Sequence, residues 1–289
     1  PKHSSGVMVA DVQAFPLSEI KQLRVGPVSL NRSRWPKLTG DGLTSPNWLF
    51  AMPWSAGAAA PNRSYAVHQL GVDASKLPPG TNLSSIAGSG FAHVLGCVEK
   101  DVNSQLTKVL TVDGSAAQPT AGIMFRGSFT VNQRYYFENV DWQLEQGEFV
   151  HDEVGKKLYA WPPPAQASLL TTAGAIAPAT DQLLEIRGEH TVVSNLTFLD
   201  TTYYADGYWD GPGQQPSDAA IRINYAKNVT VEACNFLSSV GGYGVAVGNR
   251  TTDSRVLGCL FDHVGQGGVF LYGYDYDPTS RANGAVPGN

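Results

Sequence analysis

Cysteine, methionine and charge are all scarce in this 289-residue chain. It has three cysteines and three methionines, and Asp, Glu, Lys and Arg together make up only 16% of it. Cys97, Cys234 and Cys259 are too few for a disulfide-stapled scaffold; they allow at most one bridge and leave one thiol over. Twenty Lys and Arg stand against 25 Asp and Glu, a net charge of −5. Without dense basic clusters there is no footprint for nucleic acid. No apolar run approaches the roughly 20 residues of a membrane-spanning helix. Zinc-ligand spacings, the phosphate-binding G-x-x-x-x-G-K-[ST] and the nucleophile elbow G-x-S-x-G are missing as well. The glycine cluster GSGFAHVLG has no βαβ context. The expectation is a folded, mildly acidic protein that uses neither metal nor cofactor.

What the chain has in quantity is sequons. Asn-x-Ser/Thr occurs at Asn31, Asn62, Asn82, Asn195, Asn228 and Asn249, six of its fourteen asparagines. A Ser/Thr-rich chain collects some by chance, but this density points to a glycosylated protein of the secretory pathway, extracellular or at the cell surface. The chain opens with PKHSSG in place of Met, which reads as a processed or partial chain.

It also has a repeat. Ile221, Val245 and Val269 fall 24 residues apart, as do Ile223, Val247 and Leu271, while Cys234 and Cys259, and Phe236 and Phe261, fall 25 apart. An earlier copy, LLEIRGEHTVVSNLTF, places Leu184, Ile186, Val193, Leu196 and Phe198 in the matching positions. Each copy is a pair of short strands with apolar residues at every second place, joined by Asn/Gly/Asp-rich turns. So short a unit cannot bury its own apolar face. Stacked at about 4.8 Å per rung, equivalent side chains from successive copies form internal ladders. The expected fold is all-β: a right-handed parallel β-helix with an irregular N-terminal β subdomain. Leucine-rich repeats would need a helix per unit, and a β-sandwich would not hold the spacing. Cys234 and Cys259 should stack inward as thiols, with a bridge between them as the strained alternative. Residues 1–110 lack the repeat and form the irregular subdomain. Residues 111–289 form the β-helix, with a hairpin within 135–164 and an insertion at 200–218.

That insertion carries Tyr203, Tyr204, Tyr208 and Trp209 among Asp206, Asp210 and Asp218. Flat rings stack on the apolar faces of pyranoses and carboxylates accept from sugar hydroxyls; the same loop could equally fold its rings onto the strand face. Long loops in compact folds are usually functional or disordered.

Three stretches carry a resemblance in their order. NRSRWPK (31–37) is similar to an Ala-Arg-Trp/Tyr-Pro-Asn segment, YYFENVDWQLEQGEFVHDEVGKKLYAWPPP (135–164) to a run ending L-Y-Y-W-P-P, and GQGGVFLYGYD (265–275) to a G-A-G-G-I-x-L-x-G-G-D segment. Together they resemble the secreted pectin-lyase-like proteins, right-handed parallel β-helices that include glycoside hydrolases related to α-L-fucosidases and xylanases. Lys37 and Tyr274 depart from the pattern, which has Asn and often Gly there. Relatives continue beyond both ends, so the resemblance implies the middle of a longer protein or one of two associated fragments.

The resemblance makes Asp275 the first candidate catalytic carboxylate, with Asp277 beside it and Asp210 or Asp206 as partners from the insertion. Glycoside hydrolysis generally needs two carboxyls, about 5–5.5 Å apart for retention and about 6.5–9.5 Å for inversion. Tyr208, Trp209, Tyr272, Tyr274 and His263 are the candidate substrate contacts. The structural alternative is that Asp275 and Asp277 shape a turn before Pro278 and that His263 belongs to a turn. A lyase would call on Lys227 or Arg222, but no Asp ladder for Ca²⁺ accompanies them. Two readings of different class remain: a carbohydrate-active hydrolase, and a non-catalytic structural or adhesive protein that assembles through open strand edges with copies of itself or with a C-terminal fragment. At least two of the six sequons should carry glycan in native material, and intact mass before and after glycosidase treatment checks this. An unchanged mass would remove the secretory reading.

Overall fold

The computed structural model describes residues 6–17, 19–37, 47–52, 65–96, 103–114, 119–126, 132–203, 218–237, 239–248 and 250–271. Among them the fold is built from strands, with one α-helix, Pro164–Thr172. The chain divides into two compact units: Pro1–Glu19 with Leu30–Ala173, and Ile20–Ser29 with Gly174–Asn289.

The first unit is more regular than its sequence suggests. One sheet sets Met8–Asp11, Lys157–Trp161, Glu148–Asp152 and Val28–Arg32 side by side, the last pair parallel and the others antiparallel. A second, antiparallel sheet runs Arg34–Trp35, Arg134–Glu138, Phe91–Gly96, Asn103–Asp113, Thr120–Arg126, Tyr65–Gly71, with Leu49–Phe50 also on Arg134–Glu138. This corrects two expectations. Among the described residues the N-terminal region forms regular sheets in place of an irregular subdomain, and the described residues of 111–173 belong to the first unit and not to the parallel stack expected over 111–289. The division falls after Ala173, because Thr120–Arg126 and Arg134–Glu138 close the antiparallel sheet begun upstream. In Arg134–Glu138 the period of two sends Tyr135 and Phe137 into an apolar cluster with Leu70, Ile86, Val109 and Ile123.

The hairpin is where the sequence put it. Phe149 pairs with Ala160 and Asp152 with Lys157. Asp152 Oδ1 accepts from the backbone N–H groups of Val154 (3.1 Å) and Gly155 (2.8 Å), an Asx-type turn. A Cβ on Gly155 would collide with the Asp152 carboxylate. The three prolines that end the hairpin also begin the helix, with Pro164 at its first position, where a missing N–H costs nothing. Gly174, at φ 77, follows its end.

In the second unit three successive repeats each contribute one strand to each of three parallel sheets, and Gly267–Leu271 adds a fourth strand to the first. The first sheet runs Leu184–Ile186, Ala219–Asn224, Tyr243–Gly248, Gly267–Leu271; the second Val192–Ser194, Thr230–Glu232, Arg255–Leu257; the third Thr197–Phe198, Asn235–Phe236, Leu260–Phe261. The register is the one the spacing predicts: Leu184, Ile221, Val245 and Val269 pair in succession, as do Ile186, Ile223, Val247 and Leu271. Ile221, Ile223 and Val245 are fully buried, whereas Val269 is 42% and Leu271 74% exposed.

Between the sheets lies a column of rings. Phe198 and Phe236 stack at 4.9 Å and 9°, Phe236 and Phe261 at 4.8 Å and 10°. Isolated rings prefer offset or edge-on contact; here the spacing of parallel strands sets them face to face. Beside the rings the alternation slips once. Ala220 and Ile221 both join the core, whereas Ala219 lies with Ala246 in a separate cluster. The equivalents of Ala220 are Gly244 and Gly268, and a Cβ on Gly244 would run into the Phe261 ring. Corners recur at equivalent places with left-handed backbone: His190, Asn228 and Asp253 at one, and Asn195, Ala233 and Gly258 at the next. Cys234 and Cys259 stack just after the second corner as free thiols, each directed at a carbonyl of the preceding repeat, Val193 and Val231.

Phe236→Ala should destabilise the protein by about 3–5 kcal/mol, and Phe261→Ala by less because its ring is only half-buried. Urea unfolding midpoints of the two variants measure the difference; equal losses would mean that the ring column does not carry the stability assigned to it.

Candidate functional site

The outward face of the first parallel sheet is described up to Leu271, and its columns can be read from the strand register. Its side chains form columns across the strands: Glu185, Arg222, Ala246 and Phe270 in one, Ala219, Tyr243 and Gly267 in the other. The Tyr243 and Phe270 rings meet at 4.8 Å and 35°. Gly267 leaves room for Tyr243, since a Cβ there would stand 3.1 Å from the ring. Arg222 lies 3.8 Å from Asp181, and Arg187 bonds Glu185 at 2.7 Å. Burial raises the pKa of the Tyr243 hydroxyl, which keeps it neutral and able to donate. A pair of rings flanked by ion pairs is a surface on which a sugar ring can stack, with charged groups at its edge for hydroxyls.

Most of the sequence-predicted residues adjoin the strands of this face only in sequence. Asp275, Asp277, Tyr272 and Tyr274 follow Leu271, and Asp206, Tyr208, Trp209 and Asp210 lie between Tyr203 and Asp218; all eight are outside the described residues. The described residues at the two ends of the insertion, Tyr203 and Asp218, are tied to their neighbours. Lys21 donates to the Tyr203 carbonyl (2.5 Å) and lies 5.4 Å from the centre of its ring. Asp218 is buried, and its carbonyl accepts from Tyr243 N at 2.8 Å. One residue before the paired Thr201, Asp200 takes both Arg24 Nε (2.8 Å) and Arg24 Nη2. His263 occupies a left-handed corner (φ 52), is exposed, and its Nδ1 meets the Asp262 carboxylate. Lys227 is exposed at a corner between Glu189 and Thr252, so it and the sheet residue Arg222 have different settings. Of the sequons, Asn31, Asn82 and Asn195 are exposed, Asn228 bonds His190 Nδ1 at 2.8 Å, and Asn62 and Asn249 lie outside the described residues.

Sequence reasoning missed a charged layer in the first unit. Arg32, its side chain 4% exposed, bonds Glu19 at 2.5 Å, approaches Glu138 at 3.8 Å and covers the Phe91 ring at 4.7 Å. Lys108 pairs with Glu153 at 2.6 Å, and Lys37 with Glu148 at 2.5 Å. The Asn139 amide grips the backbone of His151, donating to its carbonyl and accepting from its N–H, at 2.8 and 2.9 Å. Burial raises the Glu138 and Glu153 carboxyls above their usual range, against the pull of neighbouring cations. Burial, reinforced by Lys156 and Arg32, lowers His151 to about 4. Raised carboxyls can serve as acids, but each of these sits among packed strands and is engaged with a cation, as in a structural ion network. The available signal was charge in otherwise apolar strands: RYYFE, EFVHD and NRSRW.

No protein-family model matches the chain, and no curated protein matches it. A solved structure described as a glycoside hydrolase is similar, with a TM-score of 0.59 and 20% sequence identity, over 93% of this chain and 51% of that one. The chain therefore spans about half the length of that structure, and the likeness is one of fold.

The buried histidine generates a pH dependence. His151 titrates near 4 when folded against its ordinary 6.5, so between those values the unfolded chain takes up a proton that the folded one refuses, and stability falls as pH drops from 6.5 towards 4. Glu138 and Glu153, raised when folded, act in the opposite direction: their contribution is present at low pH and lost as pH rises through their folded values. Urea midpoints at pH 7, 5.5 and 4.5 should show a smaller acid loss in His151→Gln than in wild type, by on the order of 2–3 kcal/mol. Parallel curves would mean that His151 protonates freely in the fold.

Proposed function

We propose that the chain is part of a secreted, carbohydrate-active protein of right-handed parallel β-helix, pectin-lyase-like architecture, and that it hydrolyses glycosidic bonds in an extracellular polysaccharide or glycan. The observation that carries the reading is the fold likeness to a glycoside hydrolase over 93% of the chain. The in-register stacking of three parallel sheets supports the architecture. The ring pair Tyr243 and Phe270 on the outward face supports a sugar as ligand. In this reading Asp275 is the general acid, Asp277 or Asp210 the second carboxylate, and Tyr208, Trp209, Tyr272, Tyr274 and His263 line the path of the sugar. Fold is a weaker guide to activity than a site is, so the chemistry rests on Asp275.

One observation favours the second reading, assembly without catalysis. Val269 and Leu271 are 42% and 74% exposed although Val245, the register partner of Val269, is fully buried. An exposed in-register rung is a template on which another chain can pair.

Reducing-end release from a panel of plant, fungal and bacterial polysaccharides tests the first reading. Asp275→Asn should lower the rate by about 10²–10⁴-fold, the usual worth of general acid catalysis, with an unchanged unfolding midpoint. Full activity in the variant would make Asp275 a turn residue. Inactivity of the wild type on every substrate, together with concentration-dependent association, would favour assembly.

A further inference from the structure

The first unit carries a cleft that the proposed hydrolase does not use. Its volume is about 740 Å³, and it opens between the turns at Ala74–Ser84 and the residues Val112, Asp113, Gly114 and Pro119. That size falls within the ~300–1,000 Å³ span of small-ligand sites. The wall is unusual in composition. Leu77, Val112 and Pro119 are only half-buried, so apolar surface is left to cover. Ser75 Oγ donates its proton to Asp73 at 2.6 Å, and Thr81 Oγ1 donates to the Pro78 carbonyl at 2.6 Å. With their protons committed, both oxygens face a ligand as acceptors. Apolar patches alternating with acceptors match a sugar, which presents C–H faces and hydroxyl donors.

One wall residue names the occupant. Asn82 is exposed, lines the cleft, and begins the sequon Asn82-Leu83-Ser84. Its Oδ1 is already committed, accepting from Ser84 N at 3.1 Å and capping the 3-10 turn Leu83–Ile86. The amide nitrogen is the remaining end of the side chain. We propose that Asn82 is glycosylated and that the first sugars of its glycan lie in this cleft, covering Leu77, Val112 and Pro119. The attachment forms a bond from Asn82 Nδ2 to the sugar C1. The donor is a lipid-linked diphospho-oligosaccharide, whose bond to C1 breaks. One amide proton is lost, and the diphosphate leaves with the electron pair. The proposal rests on the secretory part of the reading above and is independent of catalysis.

The test uses the full chain made in a secreting eukaryotic host and, in parallel, without glycan in bacteria. Ser84→Ala removes the sequon but keeps the Asn82 cap, because Asn82 Oδ1 accepts from the backbone N–H of residue 84; Ser84→Thr keeps both. Site-resolved mass spectrometry should find glycan at Asn82, and native glycosidase treatment should release it more slowly than glycan from the exposed corner Asn195. In the glycosylated protein Ser84→Ala should lower Tm by about 2–4 °C and Ser84→Thr should not, while in the bacterial protein wild type and Ser84→Ala should melt together. Bare Asn82 beside occupied sequons elsewhere overturns the proposal alone, as does equal release at Asn82 and Asn195 with unchanged Tm. No glycan at any sequon overturns the secretory reading with it.

Discussion

Register is the constraint on which the second unit depends. Parallel strands stack at a fixed spacing, so a residue type that recurs at each repeat meets itself one rung away. Phenylalanine at 198, 236 and 261 becomes a column of face-to-face rings, and Ile, Val and Leu become two continuous aliphatic ladders. The same constraint dictates what must be small. The ring column reaches the neighbouring line of side chains, so that line is Ala220, Gly244 and Gly268. Corners follow suit, with the left-handed residue at the same place in each repeat even where it is Ala233, at a strain of about 1–2 kcal/mol. Slipping one strand by a single residue would turn its buried set outward and misalign every column at once.

The first unit is held differently. Its apolar cluster packs on one face of Arg134–Glu138, and the opposite face carries Tyr136 and Glu138 towards Arg34 and Arg32. Burying these charges gives little net stability over a well-packed apolar layer; removing one partner is what costs heavily, because it strands the other. In this layer Arg32 meets Glu19, Lys108 meets Glu153 and Lys37 meets Glu148. The last pair explains why lysine stands at position 37, where the resemblance has asparagine: the opposing strand supplies Glu148.

The outward face of the parallel sheet is ordered by the same stacking. Tyr243 and Phe270 occupy neighbouring outer columns on adjacent strands, so their rings touch without a loop to hold them. The insertion between Tyr203 and Asp218 leaves the repeats from two fixed residues, one held by Lys21 and the other by the strand beginning at Tyr243.

The 24- and 25-residue spacings were enough to place the ladders, the ring column and the two stacked thiols, because in a stacked repeat the partner of each residue lies one period along the chain. The hairpin at Glu148–Trp161 was legible for a similar reason: its turn residues and both strands are contiguous. Local rules stopped there. The antiparallel order that places Phe91–Gly96 between Asn103–Asp113 and Arg134–Glu138, the unit boundary after Ala173, and the return of Ile20–Ser29 to the second unit all depend on pairings that no period announces. The charged layer was hidden for the same cause. Glu138 and Arg32 look like solvent-facing residues of amphipathic strands, and they are buried because sheets distant in sequence close over them. The sequence by itself determined what each residue meets one repeat away; which strands from far along the chain would cover the rest, only the tertiary structure decided, since that choice is made by packing and desolvation and not by local pattern.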